Sequence, residues 1–206
     1  MNKLLLRDIE RIPYDCASLY LKKYTSKIYE VTGTVRYASP DSEPDVFEVV
    51  IRVEDNYPFV IPTLLETGGR YPFRGARHFN EDGTCCVEVP AVLKKAARKG
   101  LRLREYIERF VVPFFANQIY FDSKGEFLSE RSHGVEGIRE HVASIVGTYE
   151  KAEIQHLIKL LSIGQKVGRN SGCVCGSGVK YKYCHQKMLT ELNRLYTWQD
   201  LQRIFG

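Results

Sequence analysis

The chain has 206 residues, 44% of them hydrophobic and 27% charged, with a net charge of +5. These values fit a globular protein with one good core and room for a small appendage. The early apolar run, Leu4-Leu5-Leu6, is too short for a secretory signal and no later run would span a bilayer, so a cytoplasmic protein with no membrane partner is expected.

Residues 2–11 read as a short helix with Leu4, Leu5, Ile9 and Ile12 on one side, and residues 14–24 as a second helix after Pro13. Ile28 to Tyr37 alternates like a strand. Residues 39–45 carry turn chemistry, and Val46 to Val53 is the second strand of an antiparallel hairpin. Thr63 to Thr67 is a third strand, closed by Gly68-Gly69. Residues 68–90 show no periodicity, and a loop of that length inside a domain is usually functional or disordered. A helix follows with Leu103, Tyr106, Ile107, Phe110 and Phe114 on one face, and Pro113 should kink or end it. Further amphipathic helices are predicted over 136–149 and 152–163, and a terminal one carries Leu189, Leu192, Leu195, Trp198, Leu201 and Phe205.

Charge is uneven. Between Lys94 and Arg109 stand seven Lys or Arg and two Glu, an excess equal to that of the whole chain. The stretch reads as a solvated helix face or as a docking patch for an acidic partner. It has no interleaved aromatic residue before Tyr106, so nucleic acid is not an expected partner.

In a reducing compartment the six cysteines read as ligands or nucleophiles and not as disulfides. Cys16, among apolar neighbours, reads as a buried core residue. Cys173, Cys175, Cys184 and His185 are four soft ligands at metal spacing, which is the count that closes a tetrahedral structural zinc site. Gly176-Ser177-Gly178 permits the tight backbone such a knuckle needs. With almost no apolar core of its own, the module must be held by its metal. Mid-chain, Gly83-Thr84-Cys85-Cys86 is a glycine turn delivering thiols onto a short apolar strand. Adjacent side chains on extended backbone face opposite ways, so one thiol should be buried and the other presented.

Two family resemblances follow. Arg169 to His185 resembles the SEC-C motif, named for the zinc-binding tail of the SecA translocation ATPase, with Val179 where lysine is more usual. It implies bound zinc and a protein-contacting accessory role. Residues 2–121 resemble the ubiquitin-conjugating enzyme (UBC) fold. That family carries Tyr-Pro-x-x-x-Pro, here Tyr57 to Pro62. Its His-Pro-Asn and Gly-x-Ile-Cys motifs correspond to His78-Phe79-Asn80 and Gly83-Thr84-Cys85-Cys86. Phe79 replaces the proline, Cys85 replaces the isoleucine, and Asn80 lies two residues nearer the cysteine than in the family. The segments Asn117 to Phe121 and Glu130 to Gly134 look more like bacterial relatives, several of which belong to antiphage defence operons, including cyclic-oligonucleotide signalling systems.

The resemblance implies an α+β fold: a UBC-like antiparallel β-meander packed against helices, with C-terminal helices and a zinc knuckle. The expected domains are a conjugating domain over 1–150, a helical connector over 151–168, the SEC-C knuckle over 169–186 and a terminal helix over 187–206. The implied activity is that of a cysteine acyltransferase. Cys86 would carry a ubiquitin-like or other protein C-terminus as a thioester and pass it to a lysine amine, while Asn80 would stabilise the oxyanion. His78 would orient the loop. The implied partners are an acyl-donor protein and a target protein, with a nucleotidyltransferase as a further candidate. A non-catalytic binding module on the same fold, with the knuckle as adaptor, is the alternative. A cysteine hydrolase with His78 or His133 as base is a third reading.

Overall fold

Asn2 opens the first helix. Its side-chain oxygen accepts hydrogen bonds from the N–H groups of Leu4 and Leu5, which caps α1 (Lys3–Glu10). The computed structural model describes residues 2–25, 27–38, 43–72, 75–128, 132, 134–164 and 167–206. Most of the predicted turn at 39–45, and His133, lie outside the described residues.

The chain is α+β and divides into two compact units, Met1–Glu130 and Arg131–Gly206. In the first, β1 (Ala17–Tyr24), β2 (Ile28–Tyr37), β3 (Asp45–Glu54) and β4 (Thr63–Glu66) form one antiparallel sheet in chain order. The second predicted helix is therefore corrected. Residues 17–24 are a strand, with Ala17 opposite Val35 and Leu19 opposite Gly33. Pro13 does not start a helix: its carbonyl accepts from the N–H groups of Cys16 and Ala17 in a single turn that feeds β1. Cys16 is half-buried against the core, short of the full burial expected. Along β3 the pleat buries Phe47, Val49, Ile51 and Val53 and leaves Glu48 and Arg52 outside.

Helices cover the buried face. The predicted Leu103–Phe114 stripe becomes α3 (Leu103–Tyr106), a π-helical turn (Ile107–Val111) and α4 (Val112–Lys124). The π-turn answers the question posed by Pro113. The N–H of Val112 reaches back five residues to the carbonyl of Ile107, so the helix widens ahead of the proline and runs on. Phe115 of α4 stacks on Phe47 with ring centroids 4.0 Å apart.

A buried polar cluster ties the N-terminus to this helix. Arg102 donates two hydrogen bonds to the Asp8 carboxylate, one from Nε at 2.6 Å. Tyr57 donates its hydroxyl proton to the same carboxylate and accepts the Leu103 N–H at 2.6 Å. Burial alone would raise the Asp8 carboxyl, but the hydrogen bonds from Arg102 and Tyr57 hold it below its ordinary value of 3.8. A depressed folded-state value means that the stabilisation is present above pH 3.8 and is lost as pH falls through the folded value. Asp8→Ala should cost roughly 2–3 kcal/mol in urea unfolding near neutral pH. That is less than the ~3–5 kcal/mol of a fully buried pair, because Arg102 can rehydrate. The gap between variant and wild type should close in acid, and a gap independent of pH would remove the charge from this account.

α2 (Pro90–Arg98) buries Ala91, Leu93, Ala96 and Ala97 and directs Lys94, Lys95, Arg98 and the adjoining Lys99 away from the core. Further along the basic stretch, Arg102 pairs with Asp8, Arg104 with Glu108 and Arg109 with Glu105. Surface i,i+4 pairs of the last kind are worth only a few tenths of a kcal/mol.

In the second unit α5 (Gly134–Val146) and α6 (Lys151–Gly164) match the two predicted amphipathic helices within a few residues. The single terminal helix is corrected to two, α7 (Gln186–Leu195) and α8 (Trp198–Phe205), parted at Tyr196-Thr197, where the Thr197 hydroxyl caps α8 by accepting the Asp200 N–H. Val142, Ile154, Leu161, Leu189, Leu192 and Leu201 form the core of this unit. The last carbonyls of α8 are answered by side chains, Ile204 by Arg139 and Phe205 by Gln155. Among the described residues, no helix is long and apolar enough to cross a membrane.

Candidate functional site: a presented thiol and a metal knuckle

The loop after β4 folds into a tight hairpin. The Asn80 N–H bonds the Thr84 carbonyl at 2.9 Å and the Gly83 N–H bonds the Asn80 carbonyl at 3.0 Å. Gly83 sits at φ 79°, a left-handed value that a side chain would strain. Side chains lock the turn. Asp82 accepts both the N–H and the hydroxyl of Thr84, and the Asn80 amide donates to the same hydroxyl at 2.9 Å. The Asn80 side chain is thus engaged within its own turn.

The two cysteines that follow diverge as alternating backbone requires. The Cys85 N–H bonds the Leu64 carbonyl at 2.8 Å, and its thiol joins the core at 9% exposure. Burial pushes that thiol up to about 12, and the nearby Glu66 carboxylate adds to the rise. The Cys86 N–H bonds the His78 carbonyl at 2.8 Å, and its thiol is half-buried. Burial first, then Glu88, raises it above the ordinary 9.0, so little thiolate is present at neutral pH. Such a thiol is slow with weak electrophiles but serviceable against an activated acyl donor.

His78 holds this arrangement from the backbone. Its φ of 60° is unusual for a residue with a side chain, and its ring sits edge-on to Phe127 at 5.4 Å. Phe79, the residue in the proline position, is buried against Tyr71 and Phe114. Two anchors escaped sequence reasoning. Arg77 donates to the Gln118 side chain and carbonyl and to Asp122, while Gln118 returns a bond to the Arg77 carbonyl. This strut fixes the start of the hairpin to α4. The only hint in the sequence was a polar glutamine on an otherwise apolar helix face. Glu66, 3% exposed, keeps one carboxylate oxygen without a hydrogen-bond partner among the described residues, beneath the cysteine pair.

In the second unit, a second small hairpin gathers the four predicted ligands. Gly172 and Lys180 bridge, the Cys173 N–H bonds the Val179 carbonyl at 2.8 Å, and the Tyr181 N–H bonds the Ser171 carbonyl at 2.8 Å. Gly176 and Gly178 both take positive φ in the turn. A 3₁₀ turn (Tyr181–Tyr183) then brings Cys184 and His185 back under it, and α7 begins at the next residue. The ligand atoms of Cys173, Cys175, Cys184 and His185 all lie within 4.8 Å of one another.

The donor set fits a tetrahedral ion. Zinc–sulfur bonds of ~2.3 Å set sulfur–sulfur edges of about 3.7 Å. Cys175 Sγ and Cys184 Sγ are 3.7 Å apart. The sulfurs of Cys173 and Cys184 lie 3.3 and 3.1 Å from His185 Nδ1. Hydrogen bonds from the Ser177 hydroxyl and N–H lower the Cys175 thiol to about 6, toward the thiolate a metal requires. Four protein donors would leave such an ion no open position for substrate.

These features define an α+β domain that presents one thiol beside a buried one, followed by a helical unit built around a Cys₃His metal knuckle. Residues 169–187 match the SEC-C motif. No solved structure matches the chain.

Proposed function

We propose that this protein is a UBC-like acyl carrier, working in bacterial antiphage defence, with Cys86 as the nucleophile and one structural zinc ion in the SEC-C knuckle. The observation that carries the reading is the split of the cysteine pair. Cys85 fills the core position held by isoleucine in the family, and Cys86 stays accessible at the hairpin edge. The Cys86 thiolate attacks the carbonyl of an activated acyl donor, the carbon–sulfur bond forms, and the donor's leaving group departs. A lysine amine then attacks that carbonyl, the new amide forms as the carbon–sulfur bond breaks, the amine proton passes to solvent, and the Cys86 thiolate is recovered. Asn80 serves the oxyanion if its amide leaves Thr84 for the incoming oxygen. The α2 cations suit an acidic surface on the donor or target protein.

One observation favours the non-catalytic binding module instead: the Asn80 amide already has a partner in its own turn. A direct test separates the readings without an activating enzyme. The protein is mixed with a small glycine thioester of mercaptoethanesulfonate, and intact mass is followed. The enzyme reading expects one acyl adduct on Cys86, reversed by excess thiol and faster as pH rises toward 9.0, the ordinary thiol value. No adduct on wild type, or one undiminished in both Cys86→Ala and Cys85→Ala, would return the fold to a binding role.

A further inference from the structure

We propose that the knuckle is also a binding platform for single-stranded nucleic acid, with Tyr183 stacking on a base and Arg169, Lys180, Lys182 and Lys187 reading the phosphates. This departs from the expectation drawn from the 94–109 stretch, which lacks interleaved aromatic residues. The knuckle has them, in Lys180-Tyr181-Lys182-Tyr183.

Charge is the first observation. From Ile154 to Thr190 the sequence contains no Asp or Glu and six Lys or Arg. Arg169, Lys180 and Lys182 therefore have no Asp or Glu within four positions along the sequence, unlike Arg104 and Arg109, while Lys187 has Glu191 one helical turn on. Zinc held by three thiolates and a neutral imidazole would add a single negative charge, which the four knuckle cations outweigh.

The fold then places these groups together. The Lys182 N–H bonds the Arg169 carbonyl at 3.0 Å, so the two basic residues neighbour each other although 13 positions apart in sequence. Of the two tyrosines, Tyr181 turns inward at 6% exposure, while Tyr183 stands out at 74%. The Lys182 ammonium lies 4.7 Å from the centroid of the Tyr183 ring. A base stacked on the open ring would put its own phosphates within reach of that cation. Val179, exposed at 45%, adds an apolar edge.

A flat aromatic flanked by cations is the arrangement that single strands use, because every base has a π-face and every linkage a charge. A duplex hides its bases and would engage the cations alone. An acidic peptide would likewise meet the charges but leave the Tyr183 ring unused.

The test uses the full chain loaded with zinc and a fluorescein-labelled oligothymidylate of about 15 nucleotides, read by anisotropy across salt. Binding should weaken with salt at a logarithmic slope of about −2 to −3, since each single-strand phosphate contact contributes about −0.7. Lys180→Gln with Lys182→Gln should flatten the slope by about 1.4. Tyr183→Ala should weaken binding about tenfold or more with the slope unchanged, and Tyr183→Phe should retain it. Zinc content and circular dichroism matching wild type keep misfolding apart from lost contacts. Absence of binding at low salt overturns the proposal. So does equal competition by duplex or by polyglutamate of matched charge, or a Tyr183→Ala variant that binds as wild type.

Discussion

Chelating zinc should unfold residues 169–185 and release the start of α7, while the first unit keeps its fold. The knuckle is a hairpin of eleven residues, Ser171 to Tyr181, and a 3₁₀ turn, with Tyr181 and Cys173 as its main buried groups. Little apolar area holds it, whereas metal binding in modules of this kind supplies on the order of 10 kcal/mol. The first unit has an independent core from Leu5 to Phe115. Elemental analysis should find one zinc per chain, Cys175→Ser should lower that content, and metal should be lost as pH falls because protons compete for the thiolates. Hydrogen exchange after chelation gives the location. Protection lost in β2 and β3 together with the knuckle would show one cooperative structure, and protein purified without chelator yet free of zinc would sink the site.

The second large effect belongs to Cys86. Cys86→Lys, given an activated acyl donor, should replace the labile thioester by an amide, because the lysine nitrogen attacks the carbonyl and the donor's leaving group departs. The amide survives strong reductant and the wild-type adduct does not. Cys85→Ala should load as wild type while losing stability by roughly 1 kcal/mol or more for the lost core sulfur. Loading that is kept in Cys86→Ala and lost in Cys85→Ala would exchange their roles.

The strands and most helices were legible because their patterns are strong and local. Val46 to Val53 is rich in β-branched residues and puts Phe47, Val49, Ile51 and Val53 at every second position, and the structure extends it by one residue at each end. Residues 17–24 were misread although Ala17, Leu19 and Leu21 also alternate. What decides that segment is non-local, since its strand state depends on the partner edge offered by β2 from Ile28 to Val35. The terminal helix was read too long for a local reason that was missed, the Thr197 cap in front of Asp200. The knuckle ligands were legible to the residue, because soft ligands at that spacing have few other uses. The Arg77 strut was not, since a lone glutamine on an apolar helix face does not name a partner 41 positions away.

The sheet whose strands follow one another in chain order bears on how the protein is made. Each strand finds its partner in the segment just synthesised, so the meander can zip from β1 to β4 as the chain leaves the ribosome. The Asp8–Arg102 clasp spans 94 positions and cannot close until α3 has emerged. Until then α1 is held only by its bonds to Tyr29, Asp55 and Tyr57, and the apolar face of the sheet stays uncovered. The nascent chain should therefore be most exposed to chaperones and to aggregation between completion of β4 and arrival of Leu103 to Phe115.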